Sequence, residues 1–132
     1  MIRHKHTIRV AYSDTDKMGV VHHSNYAKYF ENARWELFRS RGLSYKDIES
    51  QGFMFPVISL QSKFHTKALY DDVLTIDLTI TCIKAARIYM EFTVYDAHKK
   101  RVHTAKLELA CVSSQTWKPC AVPQFIVDIL LK

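Results

Sequence analysis

Between Ser24 and Arg41 apolar residues recur every three or four positions: Tyr26, Tyr29, Phe30, Ala33, Leu37 and Phe38. That period is helical and puts an aromatic stripe on one face. Ser24 can cap the start, and Gly42 stands where a left-handed C′ residue closes a helix. The next segment, "LSYKDIESQG", predicts a short second helix capped by Ser44 and stopped at Gly52. Elsewhere the period shortens to two. Residues 4–12 alternate loosely through Ile8, Val10 and Tyr12 and predict a first strand, followed by a loop from Ser13 to Gly19. Long β-rich runs cover residues 53–66, 73–83, 87–96 and 101–114, bounded by the turn-like stretches "ALYDD", "KAAR" and "DAHKK". Their spacing suggests antiparallel hairpins in a four-strand meander. Pro123 can open a last short helix that buries Phe125, Ile126, Ile129 and Leu130. This order predicts an α+β domain in which a curved antiparallel sheet wraps the long helix.

Composition narrows the class. The chain has 132 residues, 48% of them apolar, enough for one domain (1–132) with a real core. There is no internal repeat, linker or low-complexity stretch. The start, "MIRHKHTIRV", has no apolar signal region, and no apolar run approaches the ~18 residues of a membrane span. The expectation is a cytoplasmic protein. A formal charge of +6 favours a polyanionic partner: nucleic acid, an anionic membrane surface, a nucleotide-bearing cofactor or an acidic carrier protein. The basic residues are scattered and form no nucleic-acid-binding pattern, so nucleic acid is set aside. Cys82, Cys111 and Cys120 match no zinc signature and read as reduced, mostly buried thiols. Nor do the histidines have ligand spacing; His22 and His23 are neighbours that do not face each other on a helix. No metal is expected.

The densest chemistry is "YSDTDKMGVVHHSNYAKYFENAR", Tyr12 to Arg34. Read by residue type alone, Asp16 suits an Asx turn, and Asp14 suits a carboxylate that accepts loop N–H bonds or pairs with Arg9. Two residues apart in an extended chain, the two side chains would share a face. The helix start near His23 or Ser24 offers unpaired N–H groups at a positive dipole end. No G-x-S-x-G or other nucleophilic Ser or Cys motif is present, so Asp–His chemistry is the only hydrolytic constellation.

This stretch resembles the signature of the hot-dog-fold acyl-CoA thioesterases of the 4-hydroxybenzoyl-CoA thioesterase type. It is most similar to the branch that includes the Tol–Pal-associated YbgC enzymes, whose pattern runs Tyr-x-Asp-Thr-Asp-x-x-Gly-Val-Val-Tyr-His-x-Asn-Tyr. "ALYDDVLTI", Ala68 to Ile76, resembles the family's loop into its third strand. The order of elements agrees along nearly the whole chain. One departure is His22, where the family carries Tyr, so no role of that hydroxyl is carried over.

The resemblance implies a hot-dog subunit, a long central helix wrapped by a five-stranded sheet. It implies a homodimer or homotetramer with active sites at subunit interfaces. It also implies hydrolysis of an acyl-CoA thioester to free CoA and a carboxylic acid, with no cofactor beyond the CoA of the substrate. Asp16 aligns with the catalytic acid, as nucleophile or general base. His23 occupies the histidine position; its side chain could orient a water or the acyl carbonyl, and its N–H could be the oxyanion donor. Gly19 would permit a backbone conformation closed to other residues, Val20 and Val21 would wall the acyl pocket or the core, and Asn25 would tie the loop. Lys84 and Arg87 lie in a turn that resembles the family's basic turn near the CoA nucleotide; a solvated hairpin tip is the other reading. The alternative function is a non-catalytic module that binds acyl-CoA or acyl carrier protein, which would need neither Asp16 nor His23. A hot-dog dehydratase is a third, whose histidine sits in a different context. The acyl group is not legible.

Overall fold

The computed structural model describes residues 2–131. Its strands and helices are β1 (Ile2–Arg9), α1 (Ser24–Ser40), α2 (Tyr45–Ser50), β2 (Phe53–Met54), β3 (Val57–Phe64), β4 (Val73–Lys84), β5 (Arg87–Tyr95), β6 (Arg101–Ala110), β7 (Val112–Ser113) and α3 (Gln124–Leu131). Five strands form one antiparallel sheet in the order β1-β4-β5-β6-β3, and β2 pairs with β7. The α+β class and the wrapped helix are as expected; the four-strand meander is not. β4, β5 and β6 follow one another, but β3 pairs with β6 at the far edge and β1 takes the place beside β4. Two of the long runs are also broken: Phe55 and Pro56 separate β2 from β3, and Cys111 separates β6 from β7.

Alternation explains the core. Leu74, Ile76, Leu78 and Ile80 of β4 point inward, as do Ile88, Met90, Phe92 and Val94 of β5 and Ala105, Leu107 and Leu109 of β6. The stripe of α1 lies against them, with Phe30 stacked on Phe92 at 4.4 Å between ring centroids. Each fully buried Leu, Ile, Phe, Val or Met side chain here contributes roughly 1.5–3 kcal/mol relative to exposure. A register shift between Ile80 and Cys82 interrupts the alternation of β4. That shift turns Cys82 outward; only Cys111 of the three expected thiols is fully buried.

The helix ends follow local chemistry. Gly42, at φ +83°, closes α1: its N–H bonds to the Arg39 carbonyl and that of Leu43 to the Phe38 carbonyl, both at 3.0 Å. Ser44 and Asp47 exchange side-chain and backbone bonds to start α2. At the start of α1 the cap differs from expectation. His23 holds the N-cap position without a side-chain bond, and Ser24 is already helical, donating its N–H to Nδ1 of His22 at 3.2 Å.

Candidate active site

The site grows out of the link between β1 and α1. After β1 the chain makes a 3-10 turn at Tyr12–Asp14, and Thr15 then pairs with Val21 in a tight hairpin. The Asp16 N–H donates to the Val20 carbonyl at 2.9 Å and the Gly19 N–H to the Asp16 carbonyl at 3.0 Å. Gly19 has φ +78° with nothing near its missing side chain, so glycine is there for conformation rather than space. Val20 pairs with Leu69, and the Val21 N–H donates to the buried Ala68 at 2.9 Å. The two stretches that carry the family resemblance are therefore one structural unit: 68–72 is the shelf on which 15–21 is hung.

The two carboxylates of this unit have opposite fates. Asp14 is buried. Its Oδ2 accepts the Tyr29 hydroxyl at 2.8 Å and the Ala11 N–H at 3.2 Å, and Lys28 Nζ lies 3.6 Å from Oδ1. Burial pushes this carboxyl up, but the Tyr29 hydroxyl, the Ala11 amide and the Lys28 ammonium together hold it below its ordinary value. Its backbone carbonyl also accepts the His22 N–H at 2.9 Å and the Asn25 side-chain amide at 2.7 Å. Arg9, the pairing alternative for Asp14, instead binds Asp71 at 3.2 Å. Asp14 is thus the peg that fixes the loop to α1.

Asp16 is half-buried. Its Oδ1 accepts the Met18 N–H at 2.8 Å and the Val20 N–H at 3.4 Å, a turn of the Asx kind. Its Oδ2 has no partner among the described residues. Seven residues on, at the head of α1, the His23 N–H likewise has no acceptor among the described residues, while the neighbouring N–H groups of His22, Ser24 and Asn25 are all paired. The loop therefore presents one free carboxylate oxygen and one free amide at a helix N-terminus, where negative charge is favoured. A free carboxylate oxygen and a free helix-terminal amide are the two kinds of group that acyl transfer uses.

The other expected residues fall into two groups. Val21 is buried in the core, Val20 is half-buried on the hairpin, and Asn25 ties the loop. The side chains of His22 and His23 are exposed and lie ring to ring at 4.1 Å. Lys84 and Arg87 are elsewhere. They close the β4–β5 hairpin at the end opposite the Asp16 loop, the length of β4 away, about 36 Å at a normal strand rise. Lys84 is exposed, and Arg87 pairs with Glu108 at 3.1 Å.

Two buried polar residues escaped the sequence reading. His103 of β6 is fully buried, stacked on Tyr26 at 4.1 Å with Phe64 edge-on at 4.5 Å, and both its ring nitrogens lack partners among the described residues. Burial, with His65 nearby, lowers its pKa to about 4. Arg34 of α1 is also buried. Both break an apolar pattern: His103 precedes Ala105 and Leu107 at period two, and Arg34 stands between Phe30 and Phe38 at period four.

Residues 10–130 match the thioesterase-like superfamily. The chain belongs to that family. The chain is 30% identical over 120 residues to the acyl-CoA thioester hydrolase YbgC of Escherichia coli O6:H1, covering 91% of this chain and 90% of that protein. Identity to the acyl-CoA thioesterase YbgC of Haemophilus influenzae is 32% over 118 residues, covering 89% and 86%. The DHNA-CoA thioesterase structure from Staphylococcus aureus superposes with a TM-score of 0.90 at 30% identity, over 97% of this chain and 86% of that one. The hot-dog fold and the thioesterase class are thereby established, and the Asp16 loop lies within the matched region. No helix among the described residues is long and apolar enough to cross a membrane.

Proposed function

We propose that the protein hydrolyses acyl-CoA thioesters, with Asp16 as the reactive carboxylate and the His23 N–H as the oxyanion donor. The observation that carries this reading is the pairing pattern of the loop. Asp16 spends one oxygen on the loop and keeps the other free, and the nearest helix start keeps one N–H free. With the thioester carbonyl oxygen on the His23 N–H, Oδ2 acts in one of two ways. As nucleophile it attacks the carbonyl carbon and expels the CoA thiolate, leaving an acyl–aspartyl anhydride that water cleaves to Asp16 and the free acid. As general base it takes a proton from water, whose oxygen attacks the same carbon. Either route consumes one water and releases CoA thiol and a carboxylic acid. A single turnover in ¹⁸O-water that labels Asp16 establishes the anhydride route with water attacking the aspartyl carbon, and where the label is confined to the product acid, rapid-quench mass spectrometry for a covalent acyl–Asp16 adduct separates the two routes. Neither route calls on a metal, so EDTA should leave the rate unchanged; a loss restored by zinc would overturn that part.

The proposed assembly is a dimer through β3. All eight residues of this edge strand are exposed, including Val57 at 49%, Ile58 at 50%, Leu60 at 38% and Phe64 at 56%. An open apolar edge of this length invites pairing with a second copy. Two-fold antiparallel pairing sets the Phe64 end of one β3 against the Val57 end of the other. Through the ladder Val57–Leu109, Leu109–Ile88 and Ile88–Ile83, the Val57 end is the end of the Lys84–Arg87 turn. The basic turn of one subunit would therefore serve the Asp16 site of its partner and grip the CoA phosphates there. Thiol release from a panel of acyl-CoAs tests the activity. If no acyl-CoA in the panel is cleaved, the reading falls.

A further inference from the structure

A groove of ≈ 390 Å³ runs along α1 beside the edge strand, walled by Ala27, Phe30, Val57, Leu60 and Leu107. Arg34 stands at one end of the helical side of this groove. It is only 9% exposed and has no hydrogen bond or ion pair among the described residues. Glu31, on the same helix and in the same groove, is not within ion-pairing distance of it. Lys28, the other cation there, is turned toward Asp14. Burial works against the Arg34 guanidinium, the charges of Glu31 and Tyr45 offset part of that, and a largely buried cation without a direct partner is costly to keep. An anionic group of a ligand could pair with it directly.

The groove and the site share one helix, α1. From the His23 N–H the helix carries the wall past Ala27 and Phe30 to Arg34, roughly 16 Å along its axis. A thioester carbonyl seated on His23 sends its acyl chain along this wall, and the chain's far end meets the guanidinium. We propose that Arg34 reads the far end of the acyl group and selects medium-length acyl chains that end in a carboxylate. This rests on the thioesterase reading above. A largely apolar groove with a planar cation at one end suits a methylene chain with an anionic end, since Arg binds carboxylate through two parallel N–H bonds.

The test compares matched chains: octanoyl-CoA with suberoyl-CoA, and decanoyl-CoA with sebacoyl-CoA. The wild type should cleave the ω-carboxy member of at least one pair with a kcat/KM about tenfold or more higher, as a shielded charge-assisted contact gives. In Arg34→Met that ratio should collapse toward one, and Arg34→Lys should restore part of it. A general packing defect would lower both members together and leave the ratio alone. A wild-type ratio at or below one in both pairs overturns the inference, and this outcome does not depend on whether the variants fold. Equal losses on both members in Arg34→Met, with a fall in mass by light scattering, would make Arg34 an ion-pair partner across two copies and also overturn it. If octanoyl-CoA is cleaved without preference, only this inference fails; if no acyl-CoA is cleaved, the thioesterase reading fails and takes it down too.

Discussion

At the Val73 end of β4, Ala68 and Asp14 collect the backbone of the loop, Asp16 turns on its own amides, and α1 is pegged through Tyr29. At the Lys84 end the hairpin closes in two residues, Ala85 at φ +52° carries the turn, Lys84 meets solvent and Arg87 is engaged by Glu108. The first end is over-determined by hydrogen bonds and leaves two chosen atoms free. The second is a turn whose charges become useful only if a second subunit brings a ligand to them. Chemistry needs fixed positions and charge attraction does not, so mutations at the two ends should differ in kind as well as size.

The largest effect is expected at Asp16. Asp16→Asn keeps the Oδ1-type acceptor for Met18 and Val20 but removes the reactive carboxylate. Loss of such a group typically lowers kcat by ~10²–10⁴, and the melting temperature should stay near that of the wild type. A kcat close to wild type would falsify the assignment. Asp14→Asn should show the reverse pattern. It weakens the charge-assisted bond to Tyr29, costing about 1.5–3 kcal/mol of stability, with activity lost only as far as the loop loosens. Differential scanning calorimetry and kcat on both variants separate a peg from a reactive group. If Asp14→Asn stays stable yet loses turnover as Asp16→Asn does, the division of labour is wrong.

Next comes acid. His103 sits under the first turns of α1, at the same end as the loop, and is buried neutral with a pKa of about 4. That lies below the ordinary value of about 6.5, so the unfolded chain takes up the proton first. Stability should therefore fall as pH drops from about 6.5 to about 4 and level off below, by up to about 3 kcal/mol from this group. Urea midpoints across that window measure it. His103→Phe, which keeps a ring against Tyr26 and Phe64, should flatten the profile. An unchanged slope in that variant would show that other groups carry the acid response.

These contrasts also explain what was legible in the chain. Periodicity carried the helices and the aromatic stripe, because burial on one face of a helix imposes a period, and β-rich runs bounded by turns carried the long strands. It could not carry strand order. The place of β3 beside β6 depends on a crossover, and alternation within one strand says nothing about which strand lies next to it. The site was legible only where a motif marked it. Asp14 and Asp16 have the same chemistry in the sequence, and what separates them is which one Tyr29 reaches, fifteen residues later. His103 and Arg34 were visible as polar residues on apolar stripes, but their lack of partners is a property of packing. The distance between the KAAR turn and Asp16 follows from strand length and direction, once β4 is known to run unbroken to Lys84.

That distance sets up the smallest and most discriminating effect. Alanine at both Lys84 and Arg87 should raise KM several-fold, with kcat little changed and the effect shrinking at high salt, because exposed phosphate contacts are felt equally in ground and transition states. An acyl-pantetheine substrate, which has no nucleotide, should not respond. The change in KM does not say whose turn is used, but mixed dimers do. Combine one Asp16→Asn subunit with one subunit carrying Lys84→Ala and Arg87→Ala. If the turn serves the partner's site, one site of this dimer pairs an intact Asp16 with an intact turn, and the dimer shows wild-type KM at half the kcat. If the turn served its own subunit's site, no site would be intact, and the dimer would show only the raised KM. A raised KM in the mixed dimer would therefore return the turn to its own chain, against a separation of about 36 Å, and would break the antiparallel β3 pairing that places it across the two-fold axis.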